Sequence, residues 1–471
     1  MGYLQNWINA MTEEERKQYI GCENADPLTG AFLGKRTVHA GWTGRPVPQE
    51  EQQDRWQAVM KSLPQGSPRG TVYIHIPFCR THCLYCGFYQ NSCGEEAEHH
   101  YVDSLIRELQ QESLAPRLQD SVISAVFIGG GTPSSLPAED VGRLLQTVRQ
   151  CLPLSSDCEV TLEGRVHDLV PEKMDLWMRG GVNRVSLGIQ SFHTQIRRMM
   201  GRIDDQETVM KRMEQLKSYG KCTVIADLIY GLPGQTPELW EQDLSLLESS
   251  GADGMDLYQL DLLRGSPLEQ KLRAGQLPQA AETAEKARMY QAALAWLGKR
   301  PFRRLSVRHW ARTSGERSLY NGLARSALPL FPFGSGAGGH AGGYGVMLQR
   351  SLASYEESIS HREKPLLCMT QQPWFQKIGD QAVQQMEQGV LDMRSLTDKD
   401  ERLSEMEDLL VLWEQRGLMT DNGVLRRLTA AGEFWQVNLL QSILDSIRFL
   451  LSDTPEILQQ NQGQRISPVR S

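Results

Sequence analysis

The strongest constraint on the fold of this 471-residue chain is an alternation of short apolar runs with amphipathic helical patterns between residues 71 and 298. The apolar runs are rich in β-branched residues, and the segments between them repeat apolar residues with helical periodicity. Short strand–helix joints favour parallel strands with right-handed crossovers. Six units are too few for a closed eight-stranded barrel, so we predict an α/β fold built on an open, partial (β/α)6 barrel. The six runs lie at 71–76, 123–128, 158–162, 183–189, 223–230 and 255–260.

The segments on either side of this barrel differ from it in composition. Residues before it are polar and contain many prolines, and the segment after it is rich in arginine, aromatic residues and glycine. The last hundred residues return to amphipathic helical patterns, with a helix, a turn region and another helix as in a winged-helix module. We therefore predict an N-terminal extension at 1–65, the partial barrel at 66–300, a substrate-lining connecting segment at 301–370 and a C-terminal helical, winged-helix-like domain at 371–471.

Composition restricts the class of protein. The net charge is −7, which argues against a sequence-independent grip on nucleic acid. The sequence has no run of 18 apolar residues and no signal-peptide pattern at its start, so we expect a cytoplasmic protein without a membrane partner. Its nine cysteines are odd in number and scattered, which is typical of free thiols in a reducing compartment.

Three cysteines, Cys79, Cys83 and Cys86, follow the first predicted strand within eight residues. Three thiolates can hold three irons of a [4Fe–4S] cluster and leave the fourth iron open to the amino and carboxylate groups of S-adenosylmethionine (SAM). Electron transfer from such a cluster releases a 5′-deoxyadenosyl radical. Two alternatives are a zinc site completed by His75 or His82, although this spacing is unusual for zinc, and three unrelated small residues. We predict the cluster.

Glycines and polar residues follow the later strands. Gly130 and Gly131 end the second run, where a missing Cβ lets the backbone cradle a ligand, or where it merely permits a tight turn. Because the carboxyl ends of parallel strands meet at one edge, polar residues there are expected to line one site. Singly, each could instead cap a helix or pair with a neighbour. The polar residues in question are Glu163, Gln190, Arg202 and Asp227.

These motifs resemble the HemN-type radical SAM family, which includes oxygen-independent coproporphyrinogen dehydrogenases, and the resemblance covers about residues 70–470. It is carried by YIHIPFCRTHCLYCGFY, FIGGGTPSSL, NRVSLGIQSF, DLIYGLPGQTPE and LYQL. The resemblance implies two SAM molecules in one site and a catalytic role for the three cysteines and Gln190. By motif, the first SAM would contact Tyr73, Gly130 and Glu163, and the second Tyr85, Gly131, Thr132, Gln190, Arg202 and Asp227.

One position departs from the coproporphyrinogen dehydrogenases. Those enzymes carry a fourth cysteine where this chain has Phe88, which disfavours porphyrinogen decarboxylation. The sequence CGFY looks like the HemW heme-chaperone branch and the ChuW/HutW heme-utilisation branch, and HWARTSGERSLYN and NADPLTGAF favour the latter. A HemW-like carrier and a coproporphyrinogen dehydrogenase stay as alternatives.

The ChuW/HutW resemblance implies anaerobic heme breakdown by a radical SAM methyltransferase, with an opened, methylated tetrapyrrole and released iron. Candidate groups for heme lie after residue 300: arginines for the propionates, histidines as axial ligands, and Trp310 and Tyr320 as stacking surfaces. The alternatives are a solvated charged face and structural histidines. The electron donor is expected to be a flavodoxin-type protein. The substrate candidates are Arg308, His309, Arg312, Arg317 and His340, with further arginines at 303, 304 and 325.

Overall fold

The computed structural model describes residues 2–38, 44–64, 66–87 and 90–452 of the chain. Before the barrel, Thr12 caps the second helix: its hydroxyl accepts from the Glu15 N–H, and the Glu15 carboxylate accepts in return from the Thr12 N–H. These first elements are α1 (Tyr3–Asn9), α2 (Glu13–Ile20), α3 (Pro27–Gly30), β1 (Arg45–Pro46) and α4 (Gln49–Lys61).

Each of the six apolar runs forms one strand of a parallel sheet, and strands that follow one another in sequence lie side by side. The strands are β2 (Arg69–Ile76), the short β3 (Phe78–Cys79) and β4 (Asn91–Ser92), β5 (Val122–Gly130), β6 (Leu154–Gly164), β7 (Arg184–Gln190), β8 (Thr223–Tyr230) and β9 (Gly254–Gln259). Their order is β2-β5-β6-β7-β8-β9, with every neighbouring pair parallel. The prediction of an open six-stranded α/β barrel is confirmed.

Helices cover the outer face of these strands, and their apolar sides are buried against it. The amphipathic segments between the apolar runs form helices, as the 3.6-residue period of their apolar residues predicts. These helices are α5 (Glu95–Glu112), α6 (Pro116–Gln119), α7 (Ala138–Cys151), α8 (Pro171–Arg179), α9 (Thr194–Met199), α10 (Gln206–Ser218), α11 (Pro237–Ser249), α12 (Pro267–Arg273) and α13 (Thr283–Leu297).

The connecting segment adds strands at both ends of the same sheet. Its elements are β10 (Arg303–Arg304), β11 (His309–Ala311), α14 (Leu319–Ala324), β12 (Leu330–Phe333), β13 (Gly338–Ala341), β14 (Tyr344–Leu348), α15 (Leu352–Ser360) and β15 (Leu366–Gln371). Strand β12 runs parallel to β2, and β13, β14, β15 and β1 continue antiparallel, while β11 and β10 extend the sheet beyond β9. The sheet therefore runs without a break across the predicted boundaries at 65, 300 and 370, and the division into domains stays a prediction.

The glycine-rich stretch after residue 333 forms a β-hairpin. Gly342 and Gly343, with φ of +58° and +83°, join β13 to β14 in the conformation that a two-residue turn of this type requires. Both residues lie in the left-handed region, where a side chain would be strained.

The C-terminal part is helical, as predicted, and contains a small antiparallel sheet in the order β16-β18-β17. The N-terminal helices pack on its last helix: the Tyr19 hydroxyl donates to the Ser442 carbonyl at 3.1 Å, and Trp7 stacks on Phe449 at 4.5 Å. The elements are α16 (Gln376–Glu387), β16 (Val390–Leu391), α17 (Met393–Thr397), α18 (Glu407–Gln415), β17 (Met419–Asp421), β18 (Arg426–Leu428), α19 (Ala430–Phe434) and α20 (Gln436–Leu451). Among the described residues, we find no helix with the length and apolar character needed to cross a membrane.

A buried ionic network holds the first barrel strand in place. Lys364, which is 5% exposed, lies 2.9 Å from a Glu108 carboxylate oxygen and donates to the Pro332 carbonyl at 2.8 Å. The other Glu108 oxygen accepts from the Gly334 N–H and the Tyr355 hydroxyl, at 2.8 and 2.6 Å. These bonds fix the end of β12, which lies beside β2 in the sheet. Strand β2 leads into the cysteine motif.

We expect Lys364→Met to lower the free energy of unfolding by about 3–5 kcal/mol, because it leaves the Glu108 carboxylate buried without its cation. Urea denaturation followed by tryptophan fluorescence measures this loss. The matched control is Lys17→Met, which breaks the exposed Lys17–Glu13 pair and should leave the free energy of unfolding nearly unchanged. Equal losses in the two variants would contradict the role assigned to the buried network.

Candidate functional site

The three motif cysteines lie on a loop at the carboxyl end of β2. Cys79 and Cys83 are buried and Cys86 is partly exposed, and each of the nine cysteines is a free thiol. The Cys86 N–H donates to the Cys83 carbonyl at 3.0 Å, and the Cys93 N–H donates to the Cys79 carbonyl at 3.3 Å. We refer to residues 79–87 as the cysteine loop. Backbone hydrogen bonds thus shape it before any ligand binds.

Neighbouring residues tie the cysteine loop to the barrel. The Arg165 guanidinium, just past β6, donates to the carbonyl and hydroxyl of Thr81 at 3.0 and 2.6 Å. The Cys79 sulfur lies 3.3 Å from the Thr132 hydroxyl. Burial raises the pKa of the Cys79 thiol, while the Thr132 hydrogen bond and the Arg165 charge act in the opposite direction. The Arg165 guanidinium therefore offsets part of the cost of a buried thiolate at Cys79.

The three thiols fit a cluster better than they fit a single ion. Across the ranges that the structure describes, no group of three or more histidine, cysteine or acidic side chains converges in a way that could hold one metal ion. A [4Fe–4S] cluster does not require such convergence, because each thiolate binds a different iron. Three thiols on one short loop are the number of ligands that a [4Fe–4S] cluster with one open iron requires. Phe88, where the dehydrogenases have a cysteine, lies outside the described residues.

The glycines at the end of β5 allow two close approaches. Gly130, at φ +113°, donates its N–H to a Glu163 carboxylate oxygen at 3.0 Å. The Gly131 N–H donates to the Ile76 carbonyl at 2.7 Å, and a Cβ at residue 131 would lie only 2.4 Å from the Phe78 carbonyl oxygen. Both N–H groups are thus bonded within the protein, and the predicted cradle for SAM by these glycines stays a prediction.

Two carboxyl groups line the lumen of the barrel between β6 and β8. Glu163 and Asp227 are half-buried, and Asp227 accepts from the Ser186 hydroxyl at 3.1 and 3.3 Å. Burial raises the pKa of Glu163 to about 7. Burial, followed by the charges of Asp256 and Glu163, raises the pKa of Asp227 well above its ordinary value. At neutral pH these groups can hold protons and donate hydrogen bonds to a ligand.

Gln190 is the last residue of β7, and Arg202 follows α9. Gln190 has a φ of +70°, which is unusual for a residue with a side chain, and a register shift between β7 and β8 accompanies it. The Arg202 guanidinium donates to the Tyr85 hydroxyl of the cysteine loop at 3.1 Å, and its buried Nε has no partner in the described structure. Burial alone would lower the pKa of Arg202, but the Tyr85 oxygen and the Cys83 thiol outweigh this effect and raise the pKa above its ordinary value. A ligand with a carboxylate would satisfy this guanidinium.

An aromatic wall forms the opposite side of the lumen. The Tyr73 hydroxyl lies 2.9 Å from Nδ1 of His75, and Tyr320 of α14 stacks on Phe127 of β5 at 4.5 Å. The backbone N–H groups at the start of α14 donate to the buried Glu159 carboxylate at 3.1 Å. The connecting segment thus enters the barrel, and Tyr320, a predicted stacking surface for heme, packs on the barrel strand.

The predicted axial ligand His309 is fully committed to protein carboxylates. Its Nδ1 lies 2.9 Å from Asp256, and its Nε2 lies 3.1 Å from Glu316, which also pairs with Arg184 at 3.0 Å. Burial would lower the pKa of His309, but the two carboxylates raise it to about 9. An imidazolium between two acids has no lone pair for iron, so we do not assign His309 as a heme ligand.

The other substrate candidates do not lie together. Arg312 donates to the Glu248 carbonyl at 2.8 Å, and Arg317 donates to the Asp157 carbonyl at 2.9 Å. His340 lies in β13 and lines a different cavity, beside Trp374. Burial lowers the pKa of His340. Of the five, only Arg308, His309 and Arg317 line a common cavity.

Sequence reasoning missed several charged residues of the lumen. Asp256 could have been found, because it occupies in MDLYQL the same place within a buried strand that Asp227 occupies in VIADLIY. Arg184, Glu316 and Glu387 gave no signal, because their partners are distant in sequence. The structure alone brings them to the site.

Comparisons with known proteins agree with this geometry. Residues 73–247 match the radical SAM superfamily. Anaerobilin synthase of Escherichia coli O157:H7 is 39% identical over 417 residues, or 88% of this chain and 92% of that protein. The heme chaperone HemW of Bacillus subtilis (strain 168) is 29% identical over 63% of this chain and 77% of that protein. The structure of coproporphyrinogen III oxidase (HemN) from Escherichia coli, a radical SAM enzyme, aligns with a TM-score of 0.73 and 20% identity, over 87% of this chain and 99% of that chain, which shows the shared fold.

We expect Cys83→Ala to abolish the cluster absorbance at about 400 nm after anaerobic reconstitution with iron and sulfide, because one iron loses its thiolate. The measurement is the absorption spectrum together with the iron content per chain. Cys93→Ala is the matched control, since Cys93 borders the cysteine loop but lies outside the motif, and it should retain the cluster. Full iron content in the Cys83 variant would contradict the ligand assignment.

A pH dependence follows from Glu163. The pKa of Glu163 is raised in the folded state. Its protonation therefore contributes to the free energy of unfolding, fully below the ordinary pKa of 4.5, and this contribution is lost as the pH rises through about 7. Glu163→Gln keeps an acceptor for Gly130 and does not titrate. We expect the wild type to lose on the order of 2 kcal/mol more unfolding free energy than this variant between pH 5 and pH 8. Urea denaturation across this range measures the difference, and parallel pH profiles would contradict the assigned shift.

Proposed function

Because this chain belongs to the HemN-like radical SAM family, with anaerobilin synthase among its relatives, we propose that it opens the heme macrocycle without oxygen. The chain is a radical SAM enzyme, and family membership brings a [4Fe–4S] cluster and SAM as cofactors. The proposal adds heme as the substrate, two SAM molecules, and a methylated linear tetrapyrrole and free iron as products. When bound, the cofactors supply a carbon radical and the transferred carbon.

The observation that carries the proposal is the meeting of two groups of residues at the cysteine loop. Arg202, which follows α9, contacts Tyr85 within the loop. Gly130, at the end of β5, lies beside Ile76 at the end of β2, where the chain leads into the loop, and it bonds to the Glu163 carboxyl. These groups correspond to the residues predicted for the second and the first SAM. Two groups of residues near the cysteine loop, one at Arg202 and one at Gly130 and Glu163, support a site for two cofactor molecules.

Each of these residues would position a part of the ligands. The Arg202 guanidinium would bind a SAM carboxylate, and the protonated Glu163 and Asp227 carboxyls would bind ribose hydroxyls while adding no repulsion between them. The strained backbone at Gln190 directs its side-chain amide toward these ligands, beside Gly188. The Gln190 Nε2 lies 2.8 Å from the position that a Cβ on Gly188 would occupy. Fixed positions for three reactants replace a three-body collision.

A heme carrier without ring-opening activity is the second candidate, and the similarity to HemW supports it. Carriage requires heme binding alone, whereas the proposed reaction consumes heme. Coproporphyrinogen dehydrogenation is disfavoured by Phe88 in the sequence. We propose a flavodoxin-type protein as the electron donor, because a low-potential cluster in a partly exposed loop needs a one-electron reductant of matching potential.

The test is incubation of reconstituted protein with heme, SAM and a strong reductant in the absence of oxygen. We expect the Soret band to disappear and a linear tetrapyrrole to form, with a methyl-deuterated SAM placing its label in that product. The Cys83→Ala variant should leave the Soret band unchanged. Mass spectrometry of the product measures the label, and 5′-deoxyadenosine reports SAM cleavage.

Two outcomes would overturn the proposal in different ways. Persistence of the Soret band while SAM is cleaved would show heme carriage without ring opening. A ring-opened product without the deuterium label would keep heme breakdown and remove methyl transfer. A decarboxylated porphyrinogen formed from coproporphyrinogen would establish the dehydrogenase activity instead.

A further inference from the structure

An acidic residue of the C-terminal part reaches into a cavity of the connecting segment. Glu387 is the last residue of α16 and is 5% exposed. One of its carboxylate oxygens lies 2.8 Å from an Arg308 nitrogen, and the other lies 2.6 Å from an Arg325 nitrogen. Two guanidinium groups therefore share a single carboxylate.

The position of Glu387 does not suit helix stability. A negative side chain at the C-terminal end of a helix is repelled by the helix dipole. The helix end is anchored without this side chain, because the Glu387 carbonyl accepts from the Val307 N–H at 2.7 Å. The Glu387 carboxylate is thus held in place by the two arginines and does not stabilise α16.

The cavity around these groups has an excess of positive charge. It has a volume of about 230 Å³ and includes Arg308, Arg317 and Arg325, facing the carboxylates of Asp256 and Glu387. Asp256 already pairs with His309 at 2.9 Å. Arg317 donates to the Asp157 carbonyl at 2.9 Å and lies 3.4 Å from the exposed Asp157 carboxylate. After all pairs are formed, the Arg308–Glu387–Arg325 group still carries one net positive charge.

The cavity adjoins the site described above. Asp256, in its wall, is the register partner of Asp227 on the neighbouring strand. Its volume is below the range of roughly 300–1,000 Å³ that is typical for whole drug-sized ligands, so it can admit only the edge of a macrocycle. The carboxylate-bearing edge of a porphyrin matches both its size and its charge.

We propose that this cavity binds a carboxylate of the porphyrin substrate on Arg308 and Arg325, and that Glu387 occupies the position of that carboxylate until the substrate arrives. The inference rests on the proposed function, because it takes a carboxylated porphyrin as the substrate. An arginine holds a carboxylate in a bidentate manner, so a propionate can replace the single contact that Glu387 makes with each guanidinium. The displaced Glu387 side chain turns outward while its backbone stays bonded to Val307.

Because Glu387 and the substrate carboxylate compete for the same arginines, substitution of an arginine and substitution of Glu387 should change heme affinity in opposite directions. Arg308→Ala should weaken heme binding on the order of tenfold, since a charge-assisted hydrogen bond is lost. Glu387→Gln should strengthen heme binding severalfold, because the amide competes poorly for the guanidinium groups. A misfolded variant cannot bind more tightly than the wild type, so the second effect separates the proposal from damage to the fold.

The experiment is an anaerobic Soret titration of the cluster-loaded protein with heme, without SAM and reductant, and in parallel with heme dimethyl ester. We expect the wild type to prefer heme over the ester on the order of tenfold, Arg308→Ala to lose that preference, and Glu387→Gln to increase it. Arg300→Ala is the matched control. The Arg300 side chain is 28% exposed, against 29% for Arg308, and it pairs with Glu248 at 2.9 Å. Arg300 lies outside the cavity.

The outcomes separate this inference from the proposed function. Equal affinities for heme and its ester in the wild type, or a Glu387→Gln variant that binds heme no more tightly, would overturn the carboxylate site even if heme is consumed in the turnover assay. A clear preference for heme without any consumption would support the site and remove ring opening. Absence of heme binding in the wild type would overturn both proposals.

Discussion

The buried ion pair between Arg184 and Glu316 is the contact on which the interior of this protein depends. Arg184 begins β7 and Glu316 belongs to the connecting segment, 132 residues later, and both are almost completely buried. A charge removed from water requires a partner and further hydrogen bonds, and Glu316 obtains these from Arg184 and from His309. An open barrel of six strands has an unfilled interior, and this pair fixes the segment that fills it.

The consequences extend from that pair to the reaction site. With Glu316 held, α14 lies within the barrel, Tyr320 stacks on Phe127, and the start of the helix donates to Glu159. His309, placed between Glu316 and Asp256, neutralises a carboxylate beside Asp227. The floor of the lumen is therefore buried and charged, and this environment shifts the pKa values of Glu163 and Asp227 upward.

The parts of the structure that could be predicted from sequence are those with a local signal. The six strands and their helices follow from periodicity, and the placement of Cys79, Glu163 and Asp227 near one edge follows from the geometry of parallel strands. The path of the connecting segment could not be predicted, because its polar residues find partners far away in sequence. Arg317 bonds to Asp157, 160 residues earlier, and His309 looked like a possible metal ligand only while Asp256 and Glu316 were not known to flank it. The packing of the N-terminal helices on α20, through Tyr19 and Ser442, is hidden for the same reason.

The two outermost strands of the large sheet determine how this molecule meets other copies of itself. At one end β1 is two residues long and contains Pro46, which has no N–H to offer, and at the other end β10 consists of Arg303 and Arg304. Short edges that contain proline or carry positive charge are poor templates for a strand from another chain. A sheet of this width would otherwise be prone to growth by edge-to-edge addition during synthesis. Its edge composition disfavours such growth.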